Sequence, residues 1–186
     1  DEPAADTTDR QLDAFDRFEQ ASRGAGLDWD LVHVGNSAGA LVHPRARRDL
    51  VRVGIAAYGL SPSPEVDAAD LGLRPALRLV TEVSFAKRVA AGTPASYGHR
   101  WHAPREGWLA TLPVGYADGV PRLLTNRAEV LLHGRRYPIA GTVCMDQILV
   151  WCDDEEVAAG DEAVLLGAQG DGRIRVEEWA ETAEDI

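Results

Sequence analysis

The residues best suited to chemistry lie between Gly141 and Gln147, where Cys144, Met145 and Asp146 follow one another. This segment holds the only methionine of the chain and one of its two cysteines, and an apolar run follows it. A glycine-led entry into a strand that displays backbone N–H groups and a carboxylate suits the wall of a small-molecule site. A bulged strand start with a solvated aspartate explains the same residues, so the segment alone leaves both interpretations open.

Two loops in the first third of the chain could bind a phosphate. Residues 35–39 offer the Ser37 hydroxyl and free backbone N–H groups, and Gly54 with Ile55 follows the next apolar run. Loops at the carboxyl ends of adjacent parallel strands are where α/β barrels commonly bind phosphate. Glycines that simply turn the chain are the alternative, and these residues alone favour it.

Arg52 stands between two valines, where a buried guanidinium requires a partner. In a barrel mouth beside a phosphate, Arg52 could meet a ring nitrogen or a carboxylate, and His33 on the preceding strand could contact it. An outward-facing arginine and a packed histidine are the more frequent situations.

Two tyrosines stand next to glycines in the second half. Tyr97 lies in the sequence Ser-Tyr-Gly-His, and Tyr116 lies in Gly-Tyr-Ala-Asp-Gly with Arg122 just beyond it. A loop tyrosine can donate or accept a proton through its hydroxyl. Each tyrosine taken alone is better explained as part of a turn.

The pattern of the flanking residues indicates which elements position these side chains. Helical spacing over 7–24 predicts a helix, and short apolar runs at 31–34 and 50–55 predict two strands, with a turn of helix at 45–50. Strands separated by helical segments are typical of α/β architecture with parallel pairing.

After residue 74 the pattern becomes one of successive strands. Alternation over 77–83 predicts a half-buried strand. Glycine turns predict hairpins at 130–139 and 163–176. The predicted organisation is an α/β part over 1–68 and an antiparallel β domain over 69–186.

Charge and composition exclude several classes of function. The net charge of −11 argues against a nucleic-acid or membrane-surface partner, because phosphates would be repelled. No apolar run is long enough to span a membrane. Two cysteines, without matching histidines, predict neither a disulfide framework nor a metal site. Reduced thiols in the cytoplasm are the expectation.

Taken together, the order and wording of these segments closely resemble alanine racemase, a fold-type III enzyme dependent on pyridoxal 5'-phosphate. The resemblance spans nearly the whole chain, and the tyrosine-glycine and Cys-Met-Asp segments are its most specific parts. The segments that carry it are 33–37, 52–55, 58–60, 96–98, 115–119 and 143–147.

The resemblance implies the last strands and helices of a (β/α)8 barrel, followed by an antiparallel β domain. It also implies roles for the first group of residues. Ser37, Gly54 and Ile55 would hold the cofactor phosphate, Arg52 would face the pyridine nitrogen, and His33 would support Arg52. Because a guanidinium does not readily release a proton, the ring would be a weaker electron sink than one paired with an aspartate.

The second group would complete the site from a partner subunit. Tyr97 matches a catalytic base, opposite a lysine on the other face of the α-carbon. The backbone N–H of Met145 would bind the alanine carboxylate. Four further residues would line the site or its entry: Tyr116, Arg122, Cys144 and Asp146. A site shared in this way implies a homodimer, and the family's role is to supply D-alanine for cell-wall peptidoglycan.

One departure from the family is plain. The lysine that forms the Schiff base is not in this sequence, and the only lysine, Lys87, lies in a predicted β strand. The expectation is therefore a truncated racemase whose isolated piece is inactive. Two alternatives stay open, namely a racemase of broader amino-acid specificity and a non-catalytic dimerisation or binding module.

Overall fold

The computed structural model describes residues 6–184. The chain divides into two compact units, one that runs through Ala76 and one that begins at Leu77. Residues 1–5 and 185–186 lie outside the described residues.

The first unit begins with helix α1, Thr7–Gly24, as the sequence predicts. Leu12 and Ser22 are its buried residues, which fixes the face that the helix turns inward. The Ala25 N–H donates to the Ala21 carbonyl at 3.0 Å and closes the last turn. Ion pairs fix the outer face of α1, because Arg45 donates to Asp13 at 2.6 Å and to Asp16 at 2.8 Å.

The prediction of two strands at 31–34 and 50–55 is wrong, although the two segments do run parallel. Pairing is confined to a single parallel bridge between His33 and Leu50. The Asp49 N–H donates to the Val32 carbonyl at 3.1 Å, and the Arg52 N–H donates to the Gly35 carbonyl at 2.8 Å. Each segment leaves the extended conformation within a few residues, so no longer ladder forms.

Local capping explains why the first segment turns away so soon. The Asn36 side chain accepts from the Gly39 N–H at 2.9 Å and starts helix α2, Ser37–Val42, in what the sequence indicated was a loop. Pro44–Arg47 and Ile55–Tyr58 are short 3-10 turns. The first lies near the turn of helix predicted at 45–50, and the second replaces the predicted end of the second strand.

The second unit is an antiparallel β domain with a helix at its end. Its first five strands are β1 Leu79–Glu82, β2 Phe85–Val89, β3 Pro94–Ala95, β4 Trp101–His102 and β5 Gly107–Leu112. The next five are β6 Glu129–Leu132, β7 Arg135–Pro138, β8 Ile148–Asp153, β9 Glu162–Gln169 and β10 Gly172–Ile174. Helix α3 is Val176–Glu184.

Three sheets organise these strands. The largest has the order β1-β9-β6-β7, and β10 pairs with the far end of β9. The second has the order β2-β5-β8, and β3 with β4 forms a two-stranded ribbon. The predicted hairpins are confirmed by β6–β7 and β9–β10, and Lys87 lies in β2 as predicted.

Apolar side chains between the larger sheets form the core of the second unit. Strands β6, β8 and β9 contribute most of the fully buried residues, so both larger sheets share one interior. The loops between the strands are anchored on this core. Representative members are Leu112, Leu124, Val130, Leu132, Val143, Ile148, Val150 and Leu165. Over residues 6–184, no helix combines the length and apolar character that a bilayer crossing requires.

Candidate functional site

In the first unit, the structure brings Ser37 and Gly54 together. The buried Ser37 hydroxyl accepts from the Gly54 N–H at 2.9 Å and from the Ala56 N–H at 3.5 Å. The parallel bridge places the first turn of α2 beside the turn that begins at Ile55. Because these two N–H groups donate to Ser37 Oγ, the Ser37 O–H and the Ile55 N–H are the donors that this anion cradle offers within residues 6–184.

Arg52 and His33 meet at the same end of the parallel pairing. Arg52 Nη1 lies 2.7 Å from His33 Nδ1, and Arg52 Nη2 lies 3.5 Å from the Val34 carbonyl. A guanidinium has donors only, so Nδ1 of His33 accepts and the ring carries its hydrogen at Nε2. His33 therefore orients the arginine without competing for its other donors.

A cavity of about 400 Å³ also lies in the first unit, between α1 and α2. Arg52, Gly35 and Asn36 line part of it, but Ser37, Gly54 and Ile55 do not. The cavity and the anion cradle are therefore different features, and the chemistry of the donors singles out the cradle.

In the second unit, side chains hold three consecutive backbone N–H groups of the 141–147 segment. Gly141 donates to Asn126 Oδ1 at 2.5 Å, Thr142 to Ser96 Oγ at 2.8 Å, and Val143 to Thr125 Oγ1 at 3.1 Å. The Cys144 N–H then donates to the Gln147 carbonyl at 3.1 Å. The segment is thus a fixed loop that leads into β8.

The turn at Gly115 fastens the same loop from its other side. The N–H groups of Tyr116 and Ala117 donate to the carbonyls of Cys144 and Met145, each at 2.9 Å. The Asp118 carboxylate accepts from the Gly115 N–H at 2.9 Å and closes the turn. Among residues 6–184, the Met145 N–H has no hydrogen-bond acceptor, so this donor is available to a ligand.

Tyr97 is presented by a tightly wound loop between β3 and β4. The loop carries positive φ angles at Ser96, Gly98 and His99. Tyr97 is 72% exposed and Met145 is 58% exposed. Both residues belong to the second unit, and Ser96 connects their loops directly.

Of the remaining predicted residues, Tyr116 and Arg122 contact each other. The Arg122 guanidinium lies 5.5 Å from the centre of that ring, at cation–π distance. Burial and the Asp146 carboxylate raise the pKa of the Cys144 thiol, and Arg122 opposes this rise. Cys144 is therefore mostly a thiol at neutral pH, which suits a lining residue better than a nucleophile.

Comparison with protein families identifies both units. The alanine racemase C-terminal domain matches residues 76–186, and the alanine racemase N-terminal domain matches residues 1–62. The chain belongs to the alanine racemase family.

Curated alanine racemases are similar to the chain over nearly all its length. The protein of Frankia casuarinae is 49% identical over 97% of this chain and 47% of its own length. The protein of Thermobifida fusca is 47% identical over 100% of this chain and 49% of its own length. The chain spans about half the length of the curated relatives it matches.

Solved alanine racemases share the fold. The enzyme of D-cycloserine-producing Streptomyces lavendulae is 42% identical, with a TM-score of 0.88, over 99% of this chain and 48% of that one. The Bacillus anthracis enzyme, solved with bound L-Ala-P, is 38% identical, with a TM-score of 0.87, over 97% of this chain and 47% of that one.

Sequence reasoning missed the residues that hold the loop at 141–147 in place. Ser96, Thr125 and Asn126 each bond a backbone N–H of the 141–143 stretch. They are small polar residues next to turns, which is the composition of any loop. Of the three, only Ser96 could have been singled out from the sequence, because it directly precedes Tyr97.

Proposed function

We propose that the protein that carries this chain interconverts L-alanine and D-alanine with pyridoxal 5'-phosphate as cofactor, and that its product serves peptidoglycan synthesis. The observation that carries the proposal is the grouping of Ser37, Gly54 and the Arg52–His33 pair at one end of the parallel bridge. This end would correspond to the mouth of a (β/α)8 barrel, of which the first unit would supply the last part.

The donor set of the first unit fits the cofactor. The Ser37 hydroxyl and the Ile55 N–H would hold the phosphate, with Gly54, whose N–H donates to Ser37 Oγ, in the same turn. Arg52, kept in place by His33, would face the ring nitrogen and would not protonate it. When bound, the cofactor supplies the electron sink that makes the substrate α-hydrogen acidic enough to remove.

The second unit would supply the acid–base chemistry on one face of the substrate. The exposed Tyr97 side chain, as its phenolate, would take the α-proton in one direction of reaction, and the phenol so formed would return it in the other. The unpaired Met145 N–H would hold the substrate carboxylate. Tyr116, Arg122, Cys144 and Asp146 would line the approach to the site. The base on the opposite face would be a lysine outside residues 1–186, because Lys87 belongs to β2.

A homodimer with shared sites belongs to the same proposal. Tyr97 and Met145 are exposed on the second unit of a single chain, as groups that serve a partner's site would be. A cytoplasmic location also belongs to it, and the free state of both Cys144 and Cys152 agrees with a reducing compartment.

The direct experiment is a racemisation assay on the complete protein, with L-alanine and D-alanine each followed by chiral chromatography. We expect conversion in both directions that depends on added cofactor. Serine and other amino acids in parallel would separate an alanine racemase from one of broader specificity. Absence of conversion of any amino acid, with cofactor bound, would contradict the proposal.

Tyr97→Phe tests the assigned base. The phenol makes no hydrogen bond within residues 6–184, so its removal should leave folding intact while racemisation falls by about 10²-fold or more. Tyr58→Phe is the matched control, since Tyr58 is likewise exposed, at 60% against 72% for Tyr97. Full activity of the Tyr97→Phe protein in both directions would show that another group moves this proton.

A further inference from the structure

Ser96 holds a backbone conformation that residues with a side chain avoid. Its φ is 66° and its ψ is 174°, a region populated almost entirely by glycine. Such a conformation persists only where surrounding contacts impose it, and residues of this kind cluster at functional sites. Tyr97 is the next residue in the chain.

Contacts with the 141–142 backbone impose this conformation. Ser96 Oγ accepts from the Thr142 N–H at 2.8 Å and lies 3.4 Å from the Thr142 carbonyl, to which it donates. Gly141 makes the approach possible, because a Cβ there would stand 2.3 Å from the Ser96 Cβ. Gly141 also has a φ of 87°, which further restricts the position to glycine.

The hydroxyl therefore connects two loops that would otherwise move independently. On one side it fixes the residue before Tyr97, whose own side chain is largely exposed and has no hydrogen bond within the described residues. On the other side it fixes the loop that presents the Met145 N–H three residues later. The distance between the phenol and that N–H depends on this connection.

We propose that Ser96 is a positioning residue that sets the placement of Tyr97 relative to the Met145 N–H. The inference rests on the proposed function, in which these two groups act on the same substrate. Substrate held at its carboxylate by Met145 then presents its α-carbon to Tyr97 at a distance fixed by Ser96. Small misplacements at a reacting centre can cost about 10²-fold in rate.

If Ser96 positions Tyr97, loss of its hydroxyl predicts an isotope pattern that general loosening of the loops would not produce. The proton passes from the α-carbon to the Tyr97 oxygen in one direction, and from that oxygen to the α-carbon in the other. Loss of the Ser96 hydroxyl should slow this transfer more than the transfer on the opposite face. With α-deuterated alanine, the isotope effect should rise for the enantiomer whose hydrogen faces Tyr97 and fall for the other.

Two variants separate the effect of the Ser96 hydroxyl from the effect of its backbone conformation. Ser96→Ala removes the hydroxyl and keeps the unfavourable φ, whereas Ser96→Gly removes the hydroxyl and suits that φ. Ser84→Ala is the control, because the Ser84 hydroxyl also bonds a backbone carbonyl, that of Thr111 at 3.0 Å. All three are measured as complete protein by steady-state kinetics, by isotope effects and by hydrogen exchange of segment 141–147.

We expect both Ser96 variants to lose about tenfold to a hundredfold in kcat, with a much smaller change in KM. Both should show the opposed isotope effects and faster exchange in segment 141–147, while Ser84→Ala matches the wild type. Wild-type kcat in Ser96→Gly, an equal isotope change for both enantiomers, or unaltered exchange would each overturn the inference. A wild-type protein that fails to racemise alanine would instead refute the proposed function, and the exchange data would still test the connection.

Discussion

Gly115 packs against the carbonyl of Cys144 so closely that a Cβ at position 115 would stand 2.4 Å from that oxygen. It would also stand 2.5 Å from the Met145 carbonyl. Two hydrogen bonds from Tyr116 and Ala117 to these carbonyls depend on that approach. The geometry of the Cys-Met-Asp loop is therefore set partly by the absence of a side chain thirty residues earlier.

The first prediction concerns this contact. Gly115→Ala should push the 144–145 backbone away and break both bonds, and overpacking of this kind typically lowers the free energy of unfolding by about 1–3 kcal/mol. Urea denaturation measures the change. Gly24→Ala is the control, because no atom lies within 4 Å of a Cβ there and its φ is not positive. It adds neither crowding nor an unfavourable φ, and equal losses in the two variants would show that crowding at Cys144 is not the cause.

The second prediction concerns the anion cradle. Ser37→Ala removes the acceptor of the Gly54 N–H and a donor to the proposed phosphate, so cofactor affinity should fall by about tenfold or more. Equilibrium dialysis or fluorescence titration of the complete protein measures this change. Ser63→Ala, at another buried serine of the first unit, should bind the cofactor like the wild type. Undiminished affinity in Ser37→Ala would remove Ser37 from the phosphate site.

The third prediction concerns pH and stability in the second unit. His133 at the β6–β7 turn lies 3.1 Å from both a Glu155 and an Asp161 carboxylate oxygen. The hydrogen bond that His133 donates to Glu155 is the largest of the causes that raise the pKa of His133, and the Asp161 charge adds to it. The same pairing lowers the pKa of Glu155, which therefore stays charged in weak acid.

Because the folded-state pKa of His133 exceeds its unfolded value, the stabilisation is complete below the unfolded pKa and disappears as pH rises through the folded pKa. His133→Gln should therefore destabilise the protein more at about pH 6 than at about pH 9. Denaturation of both proteins across this range provides the measurement. His102→Gln, at an exposed position of β4, is the control, and a pH-independent difference for His133→Gln would contradict the pairing.

The fourth prediction concerns the two thiols. Burial raises the pKa of Cys152 to about 12, and burial with the Asp146 charge raises the pKa of Cys144. Because the thiolate is the reactive form, iodoacetamide at neutral pH should modify Cys144 slowly and Cys152 only after unfolding. Intact mass spectrometry follows each addition, and Cys144→Ser identifies the first site. Rapid labelling of Cys152 in the folded protein would contradict this assignment.

Some elements of the fold could be predicted because their signals are local. Helix α1 follows from apolar spacing over three turns and a glycine at its end. The β6–β7 hairpin follows from two apolar runs on either side of His133 and Gly134, both of which have positive φ. In both cases neighbouring residues determine the structure without help from distant ones.

Other features depend on contacts that are distant in sequence. The segment at 31–34 has the composition of a strand, yet its pairing stops at His33 because Asn36 caps a helix there. Residue types could also indicate candidate groups such as Tyr97 and Met145. The bond between Ser96 and Thr142 spans 46 positions, and no periodicity or turn signal reports such a contact.

What Met145 offers a ligand is its main chain, since its carbonyl is already bonded by Ala117 while its N–H has no acceptor among residues 6–184. Every amino acid except proline supplies the same N–H. An inhibitor designed to accept a hydrogen bond from this N–H would therefore keep that contact after almost any substitution at position 145. Resistance to such a compound would have to arise instead from residues that shape the loop.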